Sequence, residues 1–298
     1  MLVEMRKIAL LVLMDTLYAV DFRPQIERLW DAILRTLAFI SPGMWVVWPG
    51  IPRPGYRWAI DKLNAYLYQI IAERRAAKVS GSDLLGELIE AGLDDDLIRD
   101  QLITILIAGH DTSTALLAWS LYLLGAHPED LARAQDEVDL HLGKETPTLE
   151  AVNRLEFLER VNKEALRLYP PIHIGNRMAA QDLAFKDYHI PAGTRVVYSI
   201  YLTHRHPDYW DEPERFDPDR FLSERVQTLP HYAYVPFGGG PRNCIGMAFA
   251  QVEAKVILAR LLQNYKFKLT SDVVHPHMGA TLEPRPGVKM TVQPRQEA

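Results

Sequence analysis

The chain has 298 residues, 48% hydrophobic and 24% charged, a balance that excludes a disordered or fibrous polymer and suffices for a large buried core. A formal net charge of −5 gives no electrostatic reason to expect a nucleic-acid partner or binding to an anionic membrane surface. A single cysteine excludes an internal disulfide and fits a reducing compartment, so the expected location is cytoplasmic.

At the front, Met5-Arg6-Lys7 precedes the apolar run Ile8 to Met14, as the charged start of a signal peptide precedes its core. Asp15 ends that run and no small-residue cleavage site follows, so a buried helix is expected instead. No stretch is expected to span a bilayer, which takes roughly 20 apolar residues.

Up to Gly143 apolar residues recur at helical spacing, punctuated by Pro and Gly. Arg53-Pro54-Gly55 opens an amphipathic segment reaching Ala77. Ser82 is the expected N-cap for Leu84 to Ala91, and Asp94 to Asp96 offers another helix start. Pro128 starts the next helix, and a further one is expected from Arg154 to Leu168, stopped by Pro170-Pro171. The texture then changes to short strands at Leu183 to Phe185, Tyr188 to Ile190 and Arg195 to Ile200, around the turn Pro191-Ala192-Gly193.

Asp211 to Gly240 is a long irregular segment of the kind that serves a site. A last helix follows Cys244 to about Tyr265, and the tail reads as strands at Lys266 to Leu269 and Val288 to Val292. No repeat or linker divides the chain, so residues 1–298 are expected to form one domain, mainly α with a small β region.

Phe237-Gly238-Gly239-Gly240-Pro241-Arg242-Asn243-Cys244-Ile245-Gly246 is a glycine-rich loop that places the cysteine where a helix should begin. Backbone N–H groups and the positive end of a helix favour a thiolate over a thiol, and the thiolate is the form that binds iron. Glycines let the backbone approach a flat macrocycle and aim amides at the sulfur. Taken alone, a lone cysteine is an inert buried small residue. Phe, Gly, Arg, Cys and Gly at these spacings, however, arise by chance on the order of once in a million windows or fewer. Zinc is excluded as a partner because there is no second cysteine and no finger-spaced histidine pair, His204 and His206 being two apart. Nothing around the thiol matches a cysteine protease.

Two further stretches carry chemistry. Leu102 to Leu124 is apolar on nearly every side except at Ala108-Gly109-His110-Asp111-Thr112-Ser113, where glycine and short polar residues predict a local opening of the helix. Glu164 and Arg167, three apart in Asn162-Lys163-Glu164-Ala165-Leu166-Arg167, share one helix face.

Together with Pro213-Glu214-Arg215-Phe216, these motifs resemble, in order and spacing, a cytochrome P-450 from near Leu102 to the end of the chain. The implied fold is that of the C-terminal two-thirds of the family, lacking its first third. The resemblance implies haem b (iron protoporphyrin IX) with Cys244 as axial ligand, Phe237, Gly238 and Gly246 shaping the loop, and Arg242 and Arg177 meeting the haem propionates. Asp111 and Thr112 match the acid-alcohol pair that passes the protons needed to split dioxygen. Glu164, Arg167 and Arg215 match a buried charged network supporting the cysteine loop. Leu106, Ala108, Ile172, Ile174 and Met278 would face an apolar substrate. The implied activity is insertion of one atom of dioxygen into a lipophilic molecule, with electrons from a ferredoxin or a flavin-containing reductase. The competing expectation is a haem-free truncated domain with a binding role only.

Overall fold

The computed structural model describes residues 1–40, 50–78, 81–270 and 273–295. They fall into two compact units, Met1–Ala118 with Ser271–Lys289, and Trp119–Thr270 with Met290–Ala298.

The first unit is helical. α1 (Leu2–Tyr18) carries the apolar run that could have been a targeting segment. Ala9, Leu10, Leu13 and Met14 of that run are buried, so it is core. α2 (Ile26–Ile40), α3 (Tyr56–Ala77) and α4 (Leu84–Glu90) pack around the same apolar cluster, to which Phe22, Leu29, Leu67, Ile71 and Leu85 contribute. The cap of α4 is Asp83, not Ser82: its carboxylate accepts from the Gly86 N–H at 3.1 Å and from the Arg74 guanidinium at 2.6 Å. A carboxylate can do both jobs at once, and a serine hydroxyl cannot pair with the arginine's charge.

α5 (Asp95–Ala126) starts at Asp94, whose side chain accepts from the Leu97 N–H at 2.8 Å. Against expectation, this helix is long and apolar enough to cross a membrane by length and composition, and 61% of its most apolar window is buried. The unit also holds an unexpected hairpin, β6 (His275–Met278) against β7 (Leu282–Arg285), which pairs Met278 with Leu282.

In the second unit, the end of α5 is anchored by Trp119, whose ring stacks on Tyr169 at 3.7 Å. α6 (Pro128–Leu142) starts at its proline as expected. The helix expected over 154–168 is α8 (Glu156–Leu168), and a short helix that the sequence reading lacked, α7 (Leu149–Asn153), precedes it. Glu137 of α6 caps α8: its carboxylate accepts from the N–H groups of Phe157 at 2.6 Å and Leu158 at 2.9 Å, satisfying donors that a new helix leaves open.

After the prolines, β1 (Ile174–Met178), absent from the expected elements, pairs antiparallel with β4 (Arg195–Ser199). The hairpin β2 (Leu183–Phe185) and β3 (Tyr188–Ile190) lies between them in sequence. β4 stops one residue earlier than expected because the Ser199 hydroxyl caps the short helix α9 (Ile200–Thr203). A short helix, α10 (Ser223–Val226), follows within the irregular segment. α11 (Met247–Asn264) follows the cysteine loop, and β5 (Tyr265–Leu269) pairs with β8 (Met290–Pro294).

Candidate functional site

The cysteine loop belongs to the second unit and is closed by its own backbone. Gly238 and Gly240 adopt φ values of 74° and 72°, a region that penalises any residue with a Cβ. The turn lets the Cys244 N–H donate to the Phe237 carbonyl at 2.9 Å, and the Gly238 N–H donate to Val235 at 3.0 Å. Cys244 is exposed, as is Ile245, at 99%. α11 begins at Met247, so the thiol sits on the loop that leads into the helix, as the sequence predicts. Gly246 adjoins the sulfur: a Cβ there would lie 3.9 Å from Sγ, an ordinary contact distance.

Behind the loop lies a buried polar network built on α8. Glu164 and Arg167 are both fully buried and paired through two bonds, Nε to Oε2 at 2.6 Å and Nη2 to Oε1 at 2.8 Å. Arg167 also donates to the carbonyls of His204 at 2.9 Å, Pro213 at 2.7 Å and Arg215 at 3.1 Å. These bonds give the guanidinium its partners without water, the condition on which a buried ion pair is tolerated. The expected triad is therefore altered. Arg215 takes part through its carbonyl, while its guanidinium is exposed and pairs with Glu212 at 2.9 Å. The second arginine near Glu164 is Arg220, 3.5 Å away with a largely buried side chain.

His204 extends the network to the cysteine loop. The Val235 N–H donates to its Nε2 at 2.8 Å, so Nε2 is an acceptor and the ring proton sits on Nδ1, 3.3 Å from the Arg167 carbonyl. Burial pushes this imidazole down to about 4, which keeps it neutral and able to accept. The path thus runs from Arg167 through His204 to Val235, two residues before Phe237. The sequence offered His204 only as a failed zinc ligand, and its role depends on contacts 31 and 37 residues away.

Asp111 and Thr112 lie in the first unit. The predicted opening of α5 is absent: the helix is continuous through 108–113. The Thr112 hydroxyl donates to the Ala108 carbonyl at 2.7 Å, a bond that lets a threonine sit in the helix with its polarity satisfied. A Cβ at Gly109 would come within 2.8 Å of the Leu13 Cδ1 methyl, so a larger residue there would make that side chain shift. Asp111 is buried, with Oδ1 accepting from Arg6 at 2.9 Å and Oδ2 from the Thr281 hydroxyl at 2.9 Å. Its neighbour His110 is fully buried, with neither ring nitrogen hydrogen-bonded among the described residues. Burial, ahead of its charged neighbours, lowers that imidazole to about 4.

Arg177 and Arg242, both of the second unit, are exposed and make no ion pair among the described residues. Arg177 donates to the Asn176 carbonyl at 2.8 Å and lies over the Tyr198 ring. Of the expected substrate-facing residues, Leu106 belongs to the apolar core of the first unit, where Ala108 and Met278 are exposed. Ile172 and Ile174 are exposed in the second.

A sequence model of the cytochrome P-450 family matches residues 5–292, and the chain belongs to that family. It is 38% identical over 240 residues to cytochrome P-450 4c21 of Blattella germanica, covering 72% of this chain and 48% of the relative. It is likewise 38% identical over 229 residues to the cyclooctat-9-en-7-ol 5-monooxygenase of Streptomyces melanosporofaciens, covering 73% of this chain and 50% of the relative. Among solved structures it resembles the cytochrome P-450DA haem domain with a TM-score of 0.89 and 33% identity, over 99% of this chain and 68% of that one. The chain thus spans about half the length of these curated relatives.

Members of the family bind haem through a cysteine thiolate, and Cys244 is the one cysteine here. The residues present fit: the loop offers one exposed thiol, with the exposed cations Arg242 and Arg177 in the same unit. A single exposed sulfur suits an iron whose other bonds come from a macrocycle.

Proposed function

We propose that this chain is the haem-binding portion of a monooxygenase that inserts one oxygen atom into a lipophilic molecule, with Cys244 as the axial thiolate. The observation that carries this reading is the cysteine loop, an exposed sulfur on a hydrogen-bonded glycine turn tied through His204 to a buried Glu164–Arg167 pair. Haem, when bound, supplies the one-electron and dioxygen chemistry that no side chain provides.

The chain's own residues supply position, charge and protons. The backbone bond from Cys244 to Phe237 closes the turn that presents the sulfur, and half-buried Phe237 is the aromatic side chain that would shield it. Arg242 and Arg177, unpaired with any protein carboxylate among the described residues, are the cations for two propionates. Asp111 and Thr112 form the acid-alcohol pair, Asp111 taking protons up and the Thr112 hydroxyl passing them on. Ala108, Ile172, Ile174 and Met278 supply apolar contact for the substrate. Electrons come from a separate ferredoxin or flavin-containing reductase.

The test is incorporation of labelled oxygen. The haem-reconstituted chain, given a reduced ferredoxin or a flavin reductase and a panel of terpene alcohols, fatty acids and steroids, should place one labelled atom from dioxygen in a product. The name of the Streptomyces relative puts terpene-like alcohols first in the panel. A chain that takes up no haem would overturn the proposal in favour of a haem-free binding domain, and a haem-loaded chain that reduces dioxygen without labelling any compound would overturn the monooxygenase activity.

A further inference from the structure

Asp111 and Thr112 are both engaged elsewhere: the acid holds Arg6 and Thr281, and the alcohol holds the Ala108 carbonyl. For Asp111 to pass a proton to Thr112 its carboxylate must turn away from Arg6. Arg6 is largely buried, its side chain 12% exposed, and its Nε is already without a partner among the described residues. A guanidinium in that position is strongly destabilised if its last carboxylate leaves.

The same Nη2 that holds Asp111 also bonds Glu283 on β7, whose side chain is equally shielded. Glu283 has one other charged neighbour, the exposed Arg285 at 3.8 Å. Arg6 is therefore shared between two carboxylates, and Arg6, Asp111 and Glu283 all belong to the first unit.

We infer that Glu283 is a positioning residue that retains the Arg6 guanidinium while Asp111 swings between Arg6 and Thr112; this rests on the monooxygenase reading above. With Glu283 present, Asp111 can let go without leaving an unpaired buried cation. Without it, Asp111 becomes the sole partner of Arg6 and is locked in place. Only the hydrogen bond of a carboxylate is exchanged, and the proton that Asp111 carries to Thr112 is returned from solvent.

Two measurements test this, and one needs no haem. In thermal unfolding of the full chain, Asp111→Asn and Glu283→Gln should each lower the Tm modestly, because one carboxylate remains for Arg6. The double variant should lose at least twice the sum of the single losses, and adding Arg6→Met should restore most of it. Additive single losses, or a double variant that Arg6→Met does not rescue, would overturn the shared-cation arrangement.

In the haem-loaded chain, Glu283→Gln should lower kcat about tenfold with KM unchanged and should enlarge the solvent deuterium isotope effect, while Glu283→Asp recovers part of the rate. An unchanged kcat and isotope effect would overturn the positioning role. Failure of the monooxygenase reading would show separately, as absent turnover in the unsubstituted chain with the unfolding cycle intact.

Discussion

His204 uses its two nitrogens for two different tasks, accepting from the cysteine-loop segment and facing the α8 carbonyl of Arg167. Both tasks require the neutral ring. Its folded pKa of about 4 lies below the ordinary value of 6.5, and His110 is shifted the same way. The unfolded chain therefore binds protons first as pH falls, so the stability contributed by these rings is complete above pH 6.5 and is lost on the way down to pH 4. Each ring accounts for about 3 kcal/mol across that window. Chemical denaturation at pH 7 and pH 4.5 should show the loss, and a His204→Asn chain should begin less stable but lose less over the same range.

Arg167→Ala should cost about 3 to 5 kcal/mol by leaving Glu164 buried without its cation. Its haem content per chain, measured after purification, should fall below one tenth of the unsubstituted level; normal haem content would refute the supporting role. At this scale the sequence was informative where a group's meaning is local. Cys244 was legible from its loop and the Glu164–Arg167 pair from its three-residue spacing. Arg6, Glu283, Arg220 and His204 were not, because each gains its meaning from a partner between 31 and 277 residues away. Arg215 was misassigned for a related reason: its place in the chain is right, but only its backbone faces the network.

At the scale of elements, the long helices were legible because Pro128 and Asp94 mark starts and apolar spacing marks faces. The short helix α7 was not, nor was the cap on the first N–H groups of α8, which Glu137 supplies from a different helix. Glu137→Ala should destabilise the second unit by about 1 to 2 kcal/mol, the cost of two uncapped donors, measurable as a shift in denaturation midpoint with unchanged slope. The expected opening in α5 failed because side chains satisfy the polarity locally: Thr112 bonds back to Ala108, and Asp111 turns outward to Arg6 and Thr281. β1 and the β6–β7 hairpin escaped notice because prolines, histidines and glycine interrupt any alternation, and their pairing is set by distant or adjacent strands instead.

At the scale of the whole chain, one face of the pair β1 and β4 leaves apolar side chains in solvent. Ile174, Met178 and Val197 share that face and are each at least 48% exposed, a pattern a two-stranded sheet does not sustain without cover. The chain studied alone should self-associate, and light scattering should show a mean mass above 34.0 kDa that falls in an Ile174→Lys, Val197→Lys variant with unchanged helix content. A monodisperse monomer would contradict this.

Whether Cys244 is the iron ligand decides what this site can do, and the most direct measurement is the carbon monoxide spectrum of the reduced, haem-loaded chain beside that of Cys244→Ser. A long-wavelength Soret band, the signature of thiolate ligation, is expected in the unsubstituted chain, replaced by a shorter-wavelength band in Cys244→Ser. The same long-wavelength band in both proteins, or none in the unsubstituted chain, would contradict ligation by Cys244.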